Sequence, residues 1–286
     1  MGSTLPTNGP RRVRQNDTEA LHNGAVPVSD RELVDAIQSS LLMYPPVPGL
    51  TEAIGIPGLQ GRATKLSHPL ANLVGAARFS ERDADATIAT VKQRFVAEKR
   101  AFGWVTAPGD TPRDLERRLG AAGLQPIAHL AGMAAPIDLP VPPNPAVRVR
   151  EVTPQEAARE TDMMGRAYGM PADIVDLFNR MLVASPSIKS RGYFAYLEGG
   201  APIAWSYLVY LPDSKIVLLV GAATVPEARG RGVYSALVRR RLADARADGR
   251  EAAVIQADRD TSAPICAKLG FRELCSMEVF AWMPPH

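Results

Sequence analysis

The chain has 286 residues, of which 46% are hydrophobic and 22% charged, and its formal net charge is +3. This length allows two domains that each bury a core, and so small a charge gives no reason to expect a nucleic-acid partner. No run of about 18 apolar residues is present, so we expect no membrane-spanning segment. With only Cys266 and Cys275 there is no secreted disulfide framework, which favours a reducing compartment and predicts a cytoplasmic protein.

The first half of the chain alternates short apolar runs with helical patterns. Residues 1–28 are rich in Asn, Gly, Pro and Thr without periodicity and predict a flexible tail. From Ser29, which is suited to cap a helix, the pattern predicts an independent α/β domain over 29–139. Its predicted elements are a first helix after Ser29, a helix over 81–101, a strand over 102–105, a helix over 114–122 opened by Thr111-Pro112, and a strand over 127–133.

The Pro-rich segment 140–146 predicts a stiff linker to a second domain over 147–286. This domain reads as a strand, two helices, three strands, a helix, a strand, a helix and a strand. Such an order predicts a mixed, twisted sheet with helices on both sides. The whole chain is therefore expected to be of the α/β (α+β) class.

One stretch of the second domain, Val220 to Leu237, passes from an apolar strand through a Pro-Glu turn into a Gly- and Arg-rich loop and a helix. Gly230 and Gly232 allow the backbone to approach a ligand closely, and a helix N-terminus directs backbone N–H groups at the same place. The arrangement predicts an anion site suited to a diphosphate, although an ordinary glycine-rich turn would show the same residues.

A second motif, SAPICAKLGF over 262–271, follows the strand 252–257. Ser262 suits an N-cap, Pro264 the first helical turn and Gly270 the C-terminal cap. Together the two motifs resemble the acyl-CoA signature and closing helix of the GNAT family of N-acyltransferases. The first half resembles the degenerate GNAT domain that precedes an active one in tandem proteins, and it lacks the glycine loop.

The resemblance implies acetyl-CoA (acyl-CoA) as co-substrate and no metal. Pantetheine would pair with the free edge of the fourth strand at Ala222, Ala223 and Thr224, whose small side chains would equally suit tight helix-on-sheet packing. The diphosphate would bind the loop and helix start formed by Arg229, Gly230, Arg231, Gly232, Val233, Tyr234 and Ser235. Tyr234 stands where the family has a small residue, so the packing there must differ.

Cys266 occupies the position at which the family usually carries a Tyr that protonates the departing CoA thiolate. A thiol can donate that proton, or as a thiolate attack the thioester, or serve as small apolar filler. Asp258, just beyond the fifth strand, is the candidate base, and capping its own loop is the alternative. Trp205 and Tyr207 share one strand face and are candidates for the acceptor pocket or the core, with Tyr210 on the other face.

These interpretations predict acetyl transfer from acetyl-CoA to an amine of a small-molecule acceptor, by a protein that is a monomer or a homodimer. Two alternatives remain open. One is a non-catalytic acyl-CoA-binding or sensing protein, and the other is a GNAT-fold enzyme of another CoA-thioester reaction.

Overall fold

The structure is a computed structural model that describes residues 28–285, so nearly all of the predicted tail over 1–28 lies outside the described residues. The first half contains α1 (Asp30–Ser39), β1 (Glu52–Ala53), β2 (Gln60–Ala63), β3 (Leu73–Gly75), α2 (Glu81–Ala97), β4 (Phe102–Thr106), α3 (Leu115–Ala121) and β5 (Gln125–Pro136).

The second half begins with β6 (Arg148–Val152) and continues with α4 (Pro154–Arg159), α5 (Thr161–Tyr168), α6 (Ala172–Leu182), β7 (Ser190–Tyr196), β8 (Pro202–Tyr210), β9 (Ile216–Thr224), α7 (Val233–Ala247), β10 (Ala252–Asp258), α8 (Ala263–Leu269) and β11 (Arg272–Trp282). Three helices, rather than the predicted two, follow the first strand of this half, because the backbone leaves the helical conformation at Glu160.

Side-chain caps explain where several helices begin. Ser29 and Thr153 each form a capping box with the Glu three residues later, as their spacing predicts. Two predicted side-chain caps do not form: Asp114, and not Thr111-Pro112, is the N-cap residue of α3, and Ser262 occupies the N-cap position of α8 without a side-chain cap bond. Gly270 does end α8 in the left-handed conformation.

All eleven strands form one sheet in the order β1-β2-β3-β4-β11-β5-β10-β9-β8-β7-β6. The last strand of the first half, β5, lies antiparallel between β10 and β11, and the last strand of the chain, β11, pairs with β4. Each half therefore contributes its final strand to the sheet of the other. The predicted mixed sheet is confirmed, and this exchange of strands joins its two parts into one.

Helices cover both faces of the sheet. Leu33 of α1 and Met164 of α5 are buried with Leu218 and Val254 on one face, which we call face A. Leu237 of α7 and Cys266 of α8 are buried on the opposite face B, where α2 and α3 cover the first half around Trp104. The α/β class is thus confirmed. Within residues 28–285 no helix is long and apolar enough to cross a membrane.

Candidate functional site

A gap opens between β9 and β10, the two parallel strands in the middle of the second half. They pair only from Ile216 to Leu218 with 252–254, although β9 continues to Thr224 and β10 to Asp258. The edge of β9 that faces β10 has no strand partner beyond Leu218. The small residues Ala222 and Ala223 lie on this free stretch.

A β-bulge lies in the same stretch of β9. Trp205 pairs with Ala223 while Tyr207 pairs with Val220, so β9 carries one residue more than β8 between these pairs. Gly221 has a φ of 51°, and a Cβ there would lie 2.8 Å from the Trp205 ring. Only glycine fits this position, and a bulge next to a gap in the sheet re-aims the backbone toward that gap.

The glycine loop follows β9 and opens α7. Gly230 and Gly232 are both left-handed, with φ of 74° and 71°, and Gly232 is the N-cap residue of α7. No side chain of the described residues caps α7, and its first turn contains no acidic residue. The N–H groups of Val233, Tyr234 and Ser235 are thus at an uncapped helix N-terminus, which favours an anion.

The two arginines of the loop behave differently. Arg229 donates from Nε to the carbonyl of Thr224 and from Nη2 to that of Ala167, so it ties the loop to the end of β9 and to α5. Arg231 is exposed, and its backbone carbonyl accepts a hydrogen bond from Asn144 Nδ2. Among the hydrogen bonds of the described residues, none is made by the side chain of Arg231.

Sequence reasoning missed Asn144, a residue of the Pro-rich linker. Its Nδ2 donates to the Arg231 carbonyl at 2.9 Å, and a Cβ on Gly232 would lie 2.8 Å from the same nitrogen. The linker therefore holds the glycine loop in place. An asparagine between two prolines carries no periodic signal that would indicate such a distant contact.

A thiol, a phenol and a guanidinium meet on face B beside the gap. The Tyr234 hydroxyl lies 3.2 Å from the Cys266 sulfur. Burial raises the pKa of Cys266, while the bond to Tyr234 and the charge of Arg241 oppose that increase. Arg241 is fully buried, donates to the carbonyls of Leu237, Tyr207 and Val220, and keeps its Nη2 without a hydrogen-bond partner among the described residues.

Arg241 belongs to the run Arg239-Arg240-Arg241, for which the sequence favours a solvated helix face and leaves contact with an acidic ligand group as the alternative. Successive helical residues point about 100° apart, so the three side chains have different surroundings. Arg239 is exposed, and Arg240 binds Asp244 and the Val149 carbonyl. Three consecutive arginines are typical of an exposed helix face, so this sequence pattern does not indicate that Arg241 is buried.

Asp258 ends β10 on face A. Its Oδ1 accepts from the backbone of Asp260 and from the backbone and hydroxyl of Thr261, so it does cap its loop. Tyr168, at the end of α5, is 48% exposed, and its pKa is raised by desolvation and by the Asp258 carboxylate. The Tyr168 ring centroid lies 5.9 Å from that of Trp205, whose ring is next to Gly221 of the bulge, so Tyr168 is a second residue near the gap that sequence reasoning missed.

The aromatic residues of β8 are part of the core. Trp205 donates to the Met164 carbonyl, and Tyr207 donates to the side chain of Asn179, both on face A. Tyr210 lies on face B, so the predicted division between the faces is confirmed. Only 3% of Trp205 and 2% of Tyr207 is exposed, so both side chains are part of the core.

The fold is similar to that of several solved acetyltransferases. A GCN5-related N-acetyltransferase from Kribbella flavida matches with a TM-score of 0.64 and 18% identity over 92% of this chain and 98% of that one. A tandem GNAT protein from the clavulanic acid biosynthesis pathway matches with a TM-score of 0.57 and 13% identity, over 91% of this chain and 90% of that one. A GCN5-related N-acetyltransferase from Sphaerobacter thermophilus matches with a TM-score of 0.57 and 14% identity, over 73% of this chain and 72% of that one.

The chain thus has the tandem GNAT fold, as its motifs predict. No protein-family model and no curated protein sequence matches it. Within residues 28–285, no three His, Cys, Asp or Glu side chains come together as in a metal site.

Proposed function

We propose that the protein transfers an acyl group, most simply acetyl, from acyl-CoA to an amine of a small molecule. The observation that carries this proposal is the position of the glycine loop. An uncapped helix N-terminus with two left-handed glycines lies at the end of the strand whose edge is free. A diphosphate site and an extended slot next to each other match the shape of a CoA thioester.

In this proposal the diphosphate binds the N–H groups of 230–235, and pantetheine runs along the free edge of β9 at Ala222, Ala223 and Thr224. The bulge at Gly221 would direct a backbone N–H toward the thioester oxygen, where negative charge develops as the amine attacks. The acceptor would reach the thioester from face A, the face on which Asp258 ends β10.

Asp258 is the proposed base for the attacking amine, acting directly or through a water. Asp258→Asn tests this role with little disturbance, because the amide oxygen can still accept the bonds from Asp260 and Thr261. We expect turnover to fall about 100-fold or more, as is usual when a general base is removed. Thr261→Ala removes one partner of the cap and should leave turnover within a few-fold; equal effects of the two variants would assign Asp258 to the loop alone.

A second candidate function is non-catalytic acyl-CoA binding, favoured by the residue at the position of the family's proton donor. Cys266 replaces a Tyr there and is completely buried. Thiol release from acetyl-CoA with a panel of primary amines distinguishes the two functions. Amine-dependent release supports transfer, release without any amine indicates another CoA-thioester reaction, and tight binding without release indicates a sensor.

A further inference from the structure

We infer that the acceptor is a primary amine carried on a flat apolar ring, and that Tyr168 selects it by stacking on that ring. This inference rests on the proposed function and names the class of acceptor for the same site. It follows from three features of face A beside the gap: the exposure of Tyr168, the contacts that hold it at the gap, and the apolar surroundings of Asp258.

Tyr168 is the one Phe, Tyr or Trp of residues 28–285 whose side chain is largely exposed. All other such side chains in this range are buried or half-buried. The remaining large hydrophobic residues that are exposed are aliphatic: Val96, Ile127, Ile265 and Met283. Single exposed hydrophobic side chains are common on protein surfaces, so the position of Tyr168 decides its role.

One contact links Tyr168 to the bulge of β9. Its ring centroid lies 5.9 Å from that of Trp205, and the two ring planes are tilted by 38°. A Cβ built on Gly221 would lie 2.8 Å from the Trp205 ring. The indole is held in place because its Nε1 donates to the carbonyl of Met164, one turn before Tyr168 on α5. Tyr168 therefore packs on a buried ring that itself contacts the bulge.

A second contact links the end of α5 to the free end of β9. The Arg229 guanidinium donates to the carbonyls of both Ala167 and Thr224, so the residue before Tyr168 and the last residue of β9 share one partner. Helix α5 ends at Tyr168, and Gly169 is its left-handed C-cap residue. The backbone of Tyr168 is thus fixed beside the gap, and little conformational freedom is lost when a ligand covers the ring.

The Asp258 carboxylate has apolar and already bonded neighbours on face A. Its partner across the ladder on β5 is Leu130, which packs against the core of this face. Gln256, the preceding face-A residue of β10, donates its amide to the Ile37 carbonyl and the Ser40 hydroxyl. The bonds of Asp258 to its own loop use Oδ1, and none of the described hydrogen bonds uses Oδ2. This oxygen is the polar group that these residues leave for an acceptor.

These features define the shape of the acceptor. Its nitrogen would lie in the gap, where the Asp258 carboxylate can take its proton, and the group that carries the nitrogen would lie over Tyr168. A tyrosine ring attracts a flat ring through stacked or edge contacts beyond the burial of apolar surface. Desolvation is the main cause of the raised pKa of Tyr168 although half of its side chain is exposed, as expected at the wall of a concave site.

The test compares amines that differ only in the group attached to the nitrogen-bearing chain. 2-Phenylethylamine and 2-cyclohexylethylamine have the same chain and nearly the same size, but only the first carries a flat ring. We expect wild-type kcat/KM to be about 2- to 10-fold higher for the phenyl amine, the range for an aromatic contact. Ethylamine, which lacks a ring, should be about 10- to 100-fold poorer than the phenyl amine.

Substitutions of Tyr168 then assign the preference to this ring. Tyr168→Leu keeps an apolar side chain and should bring the phenyl-to-cyclohexyl ratio of kcat/KM to about one, whereas Tyr168→Phe keeps the ring and should retain the wild-type ratio. Ile265→Ala is the matched control, because Ile265 is another exposed hydrophobic residue but belongs to α8 on face B. It should also retain the ratio. Since Tyr168 is exposed, its variants should fold, and urea denaturation checks this.

The inference is overturned if the wild type uses ethylamine as well as 2-phenylethylamine, if Tyr168→Leu keeps the phenyl preference, or if Ile265→Ala loses it. Similar turnover with all three amines would contradict the inference alone and leave the proposed function intact. Thiol release with no amine would contradict the proposed function, and calorimetry without acetyl-CoA would then test the site by itself. Tighter binding of 2-phenylethylamine than of ethylamine that is lost in Tyr168→Leu would support the site, and equal wild-type affinities would overturn it.

Discussion

The two halves of the molecule contain the same strand–helix–strand unit, and only one has an open helix start. In the first half β3, α2 and β4 form this unit, and in the second half β9, α7 and β10 form it, with parallel strands in both. The N-terminus of α2 is closed by the Ser80 side chain, which accepts from the Asp83 N–H, and its first turn carries Glu81 and Asp83. The N-terminus of α7 has Gly232 at the cap and no acidic residue.

This difference leads us to expect an anion site only at the start of α7, where a capping side chain and acidic residues are both absent. Every helix offers unpaired N–H groups in its first turn, but a capping side chain occupies them and carboxylates repel phosphate. The loop before α2 also holds its arginine in place, since Arg78 pairs with Asp110. We therefore expect that, within the full chain, only the second half binds acyl-CoA, although both halves share the same local topology.

The largest effect is expected when the halves are separated. A fragment that begins at residue 140 would lack β5 and expose the edges of β10 and β11, which that strand pairs with. Unpaired edges of this kind promote aggregation, so the fragment should be insoluble alone. Co-expression with residues 28–139 should restore a soluble complex that binds acetyl-CoA; a well-folded, monomeric fragment 140–286 would mean that the strand exchange is dispensable.

Blocking the helix start should remove acyl-CoA binding. Gly232→Leu introduces a side chain at a φ of 71°, where a Cβ would lie 2.8 Å from Asn144, and it crowds the N–H groups of the loop. We expect acetyl-CoA affinity, measured by calorimetry, to fall at least about 100-fold, or about 2.7 kcal/mol.

Gly249 is the matched control at the other end of the same helix. Its φ is 72°, and no atom lies within 4 Å of a Cβ built on it. Gly249→Ala should therefore cost about 1 kcal/mol of stability from the left-handed backbone and leave affinity unchanged. A similar loss of affinity in both glycine variants would show that strain in α7, and not the loop, controls binding.

A smaller effect is expected from giving α7 the acidic first turn of α2. Ser235 is the third residue of α7, as Asp83 is of α2. Ser235→Asp should weaken acetyl-CoA binding about tenfold at low salt, with a smaller effect at high salt, because charge repulsion at a partly exposed site is screened. Ser235→Asn has nearly the same shape without the charge and should lose at most about threefold; equal losses would point to shape.

The smallest effect is expected from opening α2. Ser80→Ala removes the bond to Asp83 N–H and should cost about 1 kcal/mol in the free energy of unfolding, a typical value for a lost cap. The carboxylates of Glu81 and Asp83 remain, so we expect no second acyl-CoA site. Urea denaturation and a CoA titration of the same sample check both points, and a newly acquired second site would show that the cap alone closes the first half.

Local patterns predicted most of the elements and the glycine loop, because caps, periodicity and left-handed glycines depend on neighbouring residues. β9 is the apolar strand predicted before the glycine loop, and α7 begins directly after that loop. The exchange of β5 and β11 was not predicted, since pairing between residues more than a hundred positions apart leaves no local signal. The domain limits near 139 and 147 stay a prediction from the sequence.

The site was only partly predictable for the same reason. The gap at Ala222 to Thr224 and the position of Cys266 follow from motifs, but the Tyr234–Cys266 bond depends on how α7 and α8 cross the sheet. Asn144 and Tyr168 reach the site from a linker and a distant helix. Arg241 resembles a surface residue in sequence, and only the packing of α7 shows that its guanidinium is buried.

The most direct test of the central claim is a calorimetric titration of the full chain with acetyl-CoA, run on the wild type and on the Gly232→Leu and Gly249→Ala variants. We expect one mole bound per mole of chain for the wild type and for Gly249→Ala, and an affinity at least about 100-fold lower for Gly232→Leu. Two moles bound by the wild type, or unchanged affinity in Gly232→Leu, would contradict the claim.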